Sequence, residues 1–410
     1  MRTVFSGGLV FDGTGAPPAA ADVAVEGERI VEVGRGLDGD EAVDVSGLTL
    51  LPGLFDTHVH VMFGHIDMWR FLQTPFSYRF YDAIRNLDAT LAAGITTVRD
   101  AGGADLGVKL AVEDGTVRGP RLQISLTMLS QTGGHGDGWL PSGGTAALFP
   151  EYPGMPSQIV DGVDEVRRKV RELARDGADV IKIATSGGVL SPRDSPDDPG
   201  FSYEEIEVMV AEARAAGLSV MSHAQASIGV KNAVRAGVRS IEHGIYLDDE
   251  AIDLMLERGA YLVPTLVAPT GVIRAMEAGV AIPPNVVAKA AEVVEAHRDS
   301  FRRAVEAGVR VAMGTDSGVT PHGENLLELE LMASGGMAPA DVLVATTRTA
   351  AELMGLEREL GTIERGKRAD LVAVSGDPFD FAGMRERIER VYQDGKLVSG
   401  GAAQREAVPA

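Results

Sequence analysis

The chain has no cysteine. Disulfides, thiolate-bound zinc and cysteine nucleophiles are therefore excluded, and any metal must be held by His, Asp, Glu or a modified Lys. Positive charge is scarce: 38 Lys and Arg stand against 59 Asp and Glu, a formal net charge of −21. That balance argues against nucleic acid and against an anionic membrane surface as partners. No run approaches the roughly 18 apolar residues of a membrane-crossing helix. Met1 to Gly8 lacks an apolar core of signal-peptide length. The expectation is a soluble cytoplasmic protein acting on a small molecule. Histidines number only eight, so their placement is informative.

At 410 residues the chain can form one large domain with a smaller appendage, or two domains. Both ends read as short strands separated by turns. Leu9–Phe11, Asp22–Val25 and Arg29–Val33 lie near the start, and 361–363, 369–374, 388–392 and 396–398 near the end. Residues 1–50 plus 361–400 are expected to form a composite β-sandwich, with a loose tail after Gly400. The middle, 51–360, alternates strand and helix. Apolar strands fall near 50–60, 95–100, 121–130, 179–185, 219–224, 238–243, 260–265 and 309–316. Helical periodicity covers 82–93, 163–176, 203–216, 228–236, 248–258, 284–307 and 324–334. Gly94, Gly217, Gly237 and Gly308 follow helices as left-handed caps. Eight such units predict an α/β fold, a (β/α)8 TIM-like barrel, whose functional residues belong at the C-terminal ends of its strands.

The candidate ligands lie at those ends. On a strand, residues two apart point the same way, so His58 and His60 aim two imidazoles at one point. Alone, such a pair is more often a surface feature without metal. Lys182 interrupts the apolar strand Asp179–Thr185. A buried ammonium is costly unless paired or discharged. Its stem either reaches a barrel mouth or a carboxylate, the commoner case, or the neutral amine takes up carbon dioxide as a carbamate bridging two metals. His223, His243 and Asp316 end the fifth, sixth and last strands; singly, each reads equally well as a satisfied core polar group. Four of eight histidines at three strand mouths make coincidence a poor explanation. Together with Asp316 and a modified Lys182 they suit two borderline divalent ions, zinc first.

These residues carry a resemblance. Gly53-Leu54-Phe55-Asp56-Thr57-His58-Val59-His60, Ala93-Gly94-Ile95-Thr96-Thr97-Val98-Arg99-Asp100 and the run from Gly361 to Val372 resemble the amidohydrolase superfamily, binuclear type with a carboxylated lysine. The resemblance covers essentially the whole length. Gln131–Asp137, Lys182–Ser191 and Ser240–Gly244 are similar to the imidazolonepropionase-like branch. That branch contains Xaa-Pro dipeptidases, carboxypeptidases for basic residues and ochratoxin-type amidases. True imidazolonepropionase uses one metal and lacks the bridging lysine, so Lys182 argues against that activity.

The resemblance implies that His58, His60 and Asp316 hold one metal and His223 and His243 the other, with the Lys182 carbamate between them. It implies metal-activated hydroxide attacking an amide, with Asp316 as general base and then acid. The expected substrate is small and bears a free carboxylate, an Xaa-Pro dipeptide or an N-acyl amino acid. The alternatives are an amidase for aryl amides, carbamates or ureas, and a metal-free scaffold, which the full ligand set disfavours. His135, in a Gly-rich loop after the third strand, reads either as a substrate contact or as a surface histidine. Gln225 stands where many relatives have a tyrosine two residues after the fifth-strand histidine. It is a substrate-side residue to which that tyrosine's contacts do not transfer. His65 and His322 lie on loops near ligands. His297, mid-helix among charges, is expected to be solvated, and so is Arg193, despite lying within reach of a substrate carboxylate. Homo-oligomers are common in the superfamily.

Overall fold

The computed structural model describes residues 1–191 and 194–400. The tail after Gly400 lies outside them. The fold is α/β. Parallel strands Leu54–Val59, Ile95–Asp100 and Arg121–Ile124 form one sheet. A second parallel sheet runs in chain order through Met128–Leu129, Val180–Ala184, Ser219–Ala224, Ser240–His243, Tyr261–Val263 and Arg310–Val311. Their residues are almost all buried, as expected where helices cover a parallel sheet. Further backbone bonds link the two sheets. The Asp179 amide donates to Ile124 at 2.8 Å, joining the third strand to the strand that carries Lys182. At the other side, the Thr57 amide donates to Met313 at 2.9 Å, the Asp316 amide to His58 at 2.7 Å and the His60 amide to Ser317 at 2.7 Å. The last parallel strand thus returns to the first.

Helices follow the strands at Tyr78–Ala92, Leu106–Glu113, Val163–Arg175, Tyr203–Ala215, Ser227–Ala236, Asp249–Arg258 and Pro284–Ala307. The glycines expected as left-handed caps have positive φ, from 77° at Gly217 to 97° at Gly237. Among the described residues no helix is long and apolar enough to cross a membrane.

Two more sheets draw on both ends of the chain. One orders Arg29–Gly34, Asp22–Glu26, Arg2–Ser6 and Glu41–Asp44. The other orders Lys396–Gly400, Ile388–Gln393, Leu371–Ser375, Leu48–Pro52, Leu9–Val10 and Ala19–Ala20. Phe5, Val23, Val25 and Ile30 of the first pack with Val10, Leu50, Leu371 and Tyr392 of the second in one apolar cluster.

The structure departs from the sequence reading in several places. The run 50–60 is two strands. Leu48–Pro52 pairs antiparallel with Leu371–Ser375, and Leu54–Val59 enters the parallel sheet. The chain changes sheets at Gly53, where a Cβ would lie 2.2 Å from Thr96 Oγ1 and 2.8 Å from Asp370 Cβ, so no larger residue fits the crossing. Residues 361–363 form no strand, although the Ile363 amide bonds to Asp12 at 2.9 Å. The run 121–130 is likewise two strands, Arg121–Ile124 and Met128–Leu129, and helices Met68–Gln73, Leu106–Glu113, Val267–Glu277, Pro339–Ala345 and Arg348–Met354 were not anticipated.

Candidate metal centre

His58, His60, His223 and His243 lie at the C-terminal ends of parallel strands, Lys182 lies within Val180–Ala184 and Asp316 follows Arg310–Val311 by five residues, and the structure brings them together. The ligand atoms of His58, His60 and Asp316 lie within 4.8 Å of one another. His60 Nε2 is 3.2 Å and His58 Nε2 3.5 Å from Asp316 Oδ1. Lys182 Nζ is 3.5 Å from His58 Nε2. The His58 and His243 rings are 5.1 Å apart, and those of His243 and His223 4.5 Å. His135 stacks on His223 at 4.1 Å with an interplanar angle of 14°. It therefore belongs to the centre and not to the outer surface.

Every candidate imidazole has one nitrogen committed to a supporting neighbour, which turns the other towards the centre. His58 Nδ1 donates to Glu242 Oε2 at 2.7 Å, and His60 Nδ1 to the Gly102 carbonyl at 2.8 Å. His243 Nδ1 pairs with Thr265 Oγ1 at 2.7 Å, and His223 Nε2 donates to the Gly187 carbonyl at 3.1 Å. Such partners fix the tautomer and the ring orientation that a metal requires. Glu242 is anchored in turn by Ser240 Oγ at 2.5 Å and by Arg99 at 3.0 Å, all fully buried.

Burial pushes His58, His223 and His243 well below the usual imidazole range, with nearby cationic groups adding to it. They are neutral donors at physiological pH. Burial also drives the Lys182 ammonium down from 10.5 to about 8, against the opposing pull of Glu242 and Asp316. Burial alone would raise Asp316, but the hydrogen bond from His60 and the charges of His58, His60 and Lys182 hold it below the carboxylate range. For His60, burial is outweighed by the bond to Asp316, and its pKa is raised. Asp316 and His60 thus share a proton where a cation would satisfy the same lone pairs.

Backbone strain concentrates here. His243, Thr265 and Asp316 are non-glycine residues with φ of 73°, 53° and 62°. Each conformation costs on the order of 1–3 kcal/mol and persists where surrounding structure enforces it. They end or follow three successive parallel strands, Ser240–His243, Tyr261–Val263 and Arg310–Val311.

The six candidate ligands line a cavity of about 240 Å³, whose other lining groups are mainly apolar, such as Phe63, Leu148, Phe149, Val272 and Ile282. His65 and Gln225 also line it. His322 instead supports the site from behind, with Nε2 on the His60 carbonyl at 3.1 Å and Nδ1 near Thr90 Oγ1 at 3.0 Å. His297 is not solvated. It is buried, lines the cavity, and its Nε2 donates to the His243 carbonyl at 2.9 Å. The register of its helix explains this, since Val286, Ala290, Val293, His297, Ser300 and Ala304 recur every three or four residues on the buried face. Arg193 lies outside the described residues.

Glu242, Arg99 and Thr265 were missed as supporting residues. Alternation was a usable signal for the first, since Ser240 and Glu242 share one face of their strand.

Parallel strands whose C-terminal ends converge histidines and a carboxylate define a class, the metal-assisted hydrolases. The chain belongs to the amidohydrolase family, whose model matches residues 49–398. It is a hydrolase of carbon–nitrogen bonds. It is 34% identical to the ochratoxinase of Aspergillus niger, over 97% of this chain and 87% of that one. It is 27% identical to an imidazolonepropionase of Caldanaerobacter subterraneus subsp. tengcongensis, over 88% of this chain and 85% of that one. Among solved structures, a Xaa-Pro dipeptidase with methionine bound in its active site is 35% identical, with a TM-score of 0.89 over 98% of this chain and 100% of that one.

Proposed function

We propose that the chain hydrolyses the amide bond of a small substrate with a free carboxylate, an N-acyl amino acid before an Xaa-Pro dipeptide. Two divalent ions, zinc first, would be held by His58, His60 and Asp316 and by His223 and His243, with a Lys182 carbamate between them. The observation that carries this reading is the convergence of six ligand-type side chains on one mainly apolar cavity. The donor set fits such ions: His58, His223 and His243 are neutral and buried, His60 faces Asp316 across the proton that a cation would replace, and each ring is oriented by a hydrogen-bond partner. Bound there, two ions would lower the pKa of a water and polarise the scissile carbonyl.

The rest of the chemistry falls to side chains of this chain. Asp316 takes the proton of the attacking water and returns it to the leaving nitrogen, which departs poorly as an anion. The apolar walls exclude bulk water. They also favour blocked over free amino termini, because Asp316 is the one carboxylate among the described lining residues. His135 receives the substrate carboxylate. Its Nδ1 faces Ser191 Oγ at 3.1 Å and Asp194 Oδ2 at 3.3 Å, which leaves Nε2 for a ligand. The same reading takes the parallel strands as a closed (β/α)8 barrel of residues 51–360. Residues 1–50 and 361–400 would form a composite β-sandwich.

Elemental analysis of protein expressed with added zinc is expected to give about two ions per chain, as in a two-metal site. Full hydrolase activity in metal-free protein would sink the reading. His135→Ala is expected to lower kcat/KM for N-acyl amino acids while metal content stays unchanged. C-terminal amides of the same compounds should be cleaved more slowly than the acids. Should amides match acids, the second reading gains: an aryl amide, carbamate or urea hydrolase. The observation favouring it is the apolar character of the cavity wall.

A further inference from the structure

Among the described residues, one polar side chain in the cavity has no partner for its oxygen. Gln225 is 5% exposed and lines the chamber just beyond His223. Its backbone is fixed at both ends. The amide donates to Ser186 Oγ at 2.7 Å, and the carbonyl accepts from the Tyr246 amide at 2.9 Å. The side-chain oxygen, by contrast, is shut off from water and receives no hydrogen bond. A carboxamide has an acceptor at one end and donors at the other, so turning it over exchanges the deficit without removing it. Leucine of similar size would carry no such penalty. The chamber around it is apolar, with Val189, Ile245 and Val319 among its lining residues.

We infer that Gln225 is the specificity-determining residue for an uncharged hydrogen-bonding group of the substrate, a hydroxyl or a second amide N–H. That group would be carried on one of the two apolar halves flanking the scissile bond. The inference rests on the hydrolase reading above and narrows its substrate class to N-acyl amino acids bearing such a group. With the substrate carboxylate assigned to His135, Gln225 is left for a neutral group, to which its carboxamide can offer either its oxygen or its N–H. The substrate thus has two polar anchors of different kinds, its carboxylate at His135 and a neutral group at Gln225. A site built to pair a substrate hydroxyl discriminates against the analogue that lacks it, since the buried amide is then left unpaired.

The test compares N-benzoyl-phenylalanine with its isomers carrying one phenolic hydroxyl on either ring, N-benzoyl-tyrosine included. For wild-type protein, at least one hydroxylated isomer is expected to exceed the parent in kcat/KM by about tenfold. In Gln225→Leu that ratio should fall to near one, with metal content unchanged and the thermal midpoint no lower. Should Gln225→Leu fail to fold, Gln225→Met serves in its place. A ratio that survives in the variant, or the lack of any gain from a hydroxyl in wild type, overturns the inference. If wild type cleaves no member of the series, the hydrolase reading itself fails for this class. Calorimetric binding of the same pairs to metal-loaded wild type and variant then decides the role of Gln225 by the same ratio.

Discussion

Lys182→Ala is expected to lower kcat/KM about 10³-fold. On the proposed two-metal reading, the bridge would contribute charge stabilisation worth several kcal/mol, and each 1.36 kcal/mol is tenfold. Metal content should fall from near two ions towards one. Folding is not the weak point of this variant. Lys182 is 1% exposed inside an apolar strand, so alanine removes a costly buried amine from the metal-free chain. Thermal unfolding of metal-free protein should therefore show no loss of stability. Short carboxylic acids such as acetate match the head of a carbamate and should restore part of the activity. Mass measurement of active, metal-loaded protein showing an unmodified amine at Lys182 would refute the carbamate.

Asp316→Asn is the second large effect. Asparagine keeps the shape but cannot take and return a proton, and general acid–base catalysis contributes roughly 10²–10⁴-fold. If Asp316 acts on the reacting atoms as proposed, the fall should appear in kcat more than in KM. Asp316 also holds His60 at 3.2 Å, so the variant should weaken metal binding at the first group as well. Measuring kcat at saturating metal separates the two contributions. A kcat within tenfold of wild type under those conditions would remove Asp316 from the proton path.

Much of this centre was legible because its ligands obey simple spacing. His58 and His60 share a strand face, and His223, His243 and Asp316 each follow an apolar run that ends in a turn. What the sequence concealed depended on partners far away in the chain. Arg99 is buried against Glu242, 143 residues later, and neither side chain is decipherable as a pair from its own strand. Helix Val267–Glu277 contains Pro269 and Gly271, which argue against a helix on propensity. Tertiary structure overrides both. Proline is tolerated in a first turn, and the buried Glu328 carboxylate accepts from the Leu266 and Val267 amides at 2.8 Å each. Gly271 is there for room, since a Cβ would meet Thr320 Cγ2 at 2.2 Å. His297 misled in the opposite way. Its neighbours in sequence are charged, yet its position in the helical register faces inward.

The pairing of Leu48–Pro52 with Leu371–Ser375 also sets an order of events during synthesis. The earlier strand leaves the ribosome roughly 320 residues before its partner. At about 5–20 residues per second it waits on the order of 15–60 s with one edge unmatched. The crossing at Gly53 ties that strand directly to the one bearing His58 and His60. A nascent chain stopped before residue 371 would therefore carry all six candidate ligands but lack the strand that covers the apolar residues of Leu48–Pro52. Such fragments are expected to aggregate through that exposed edge.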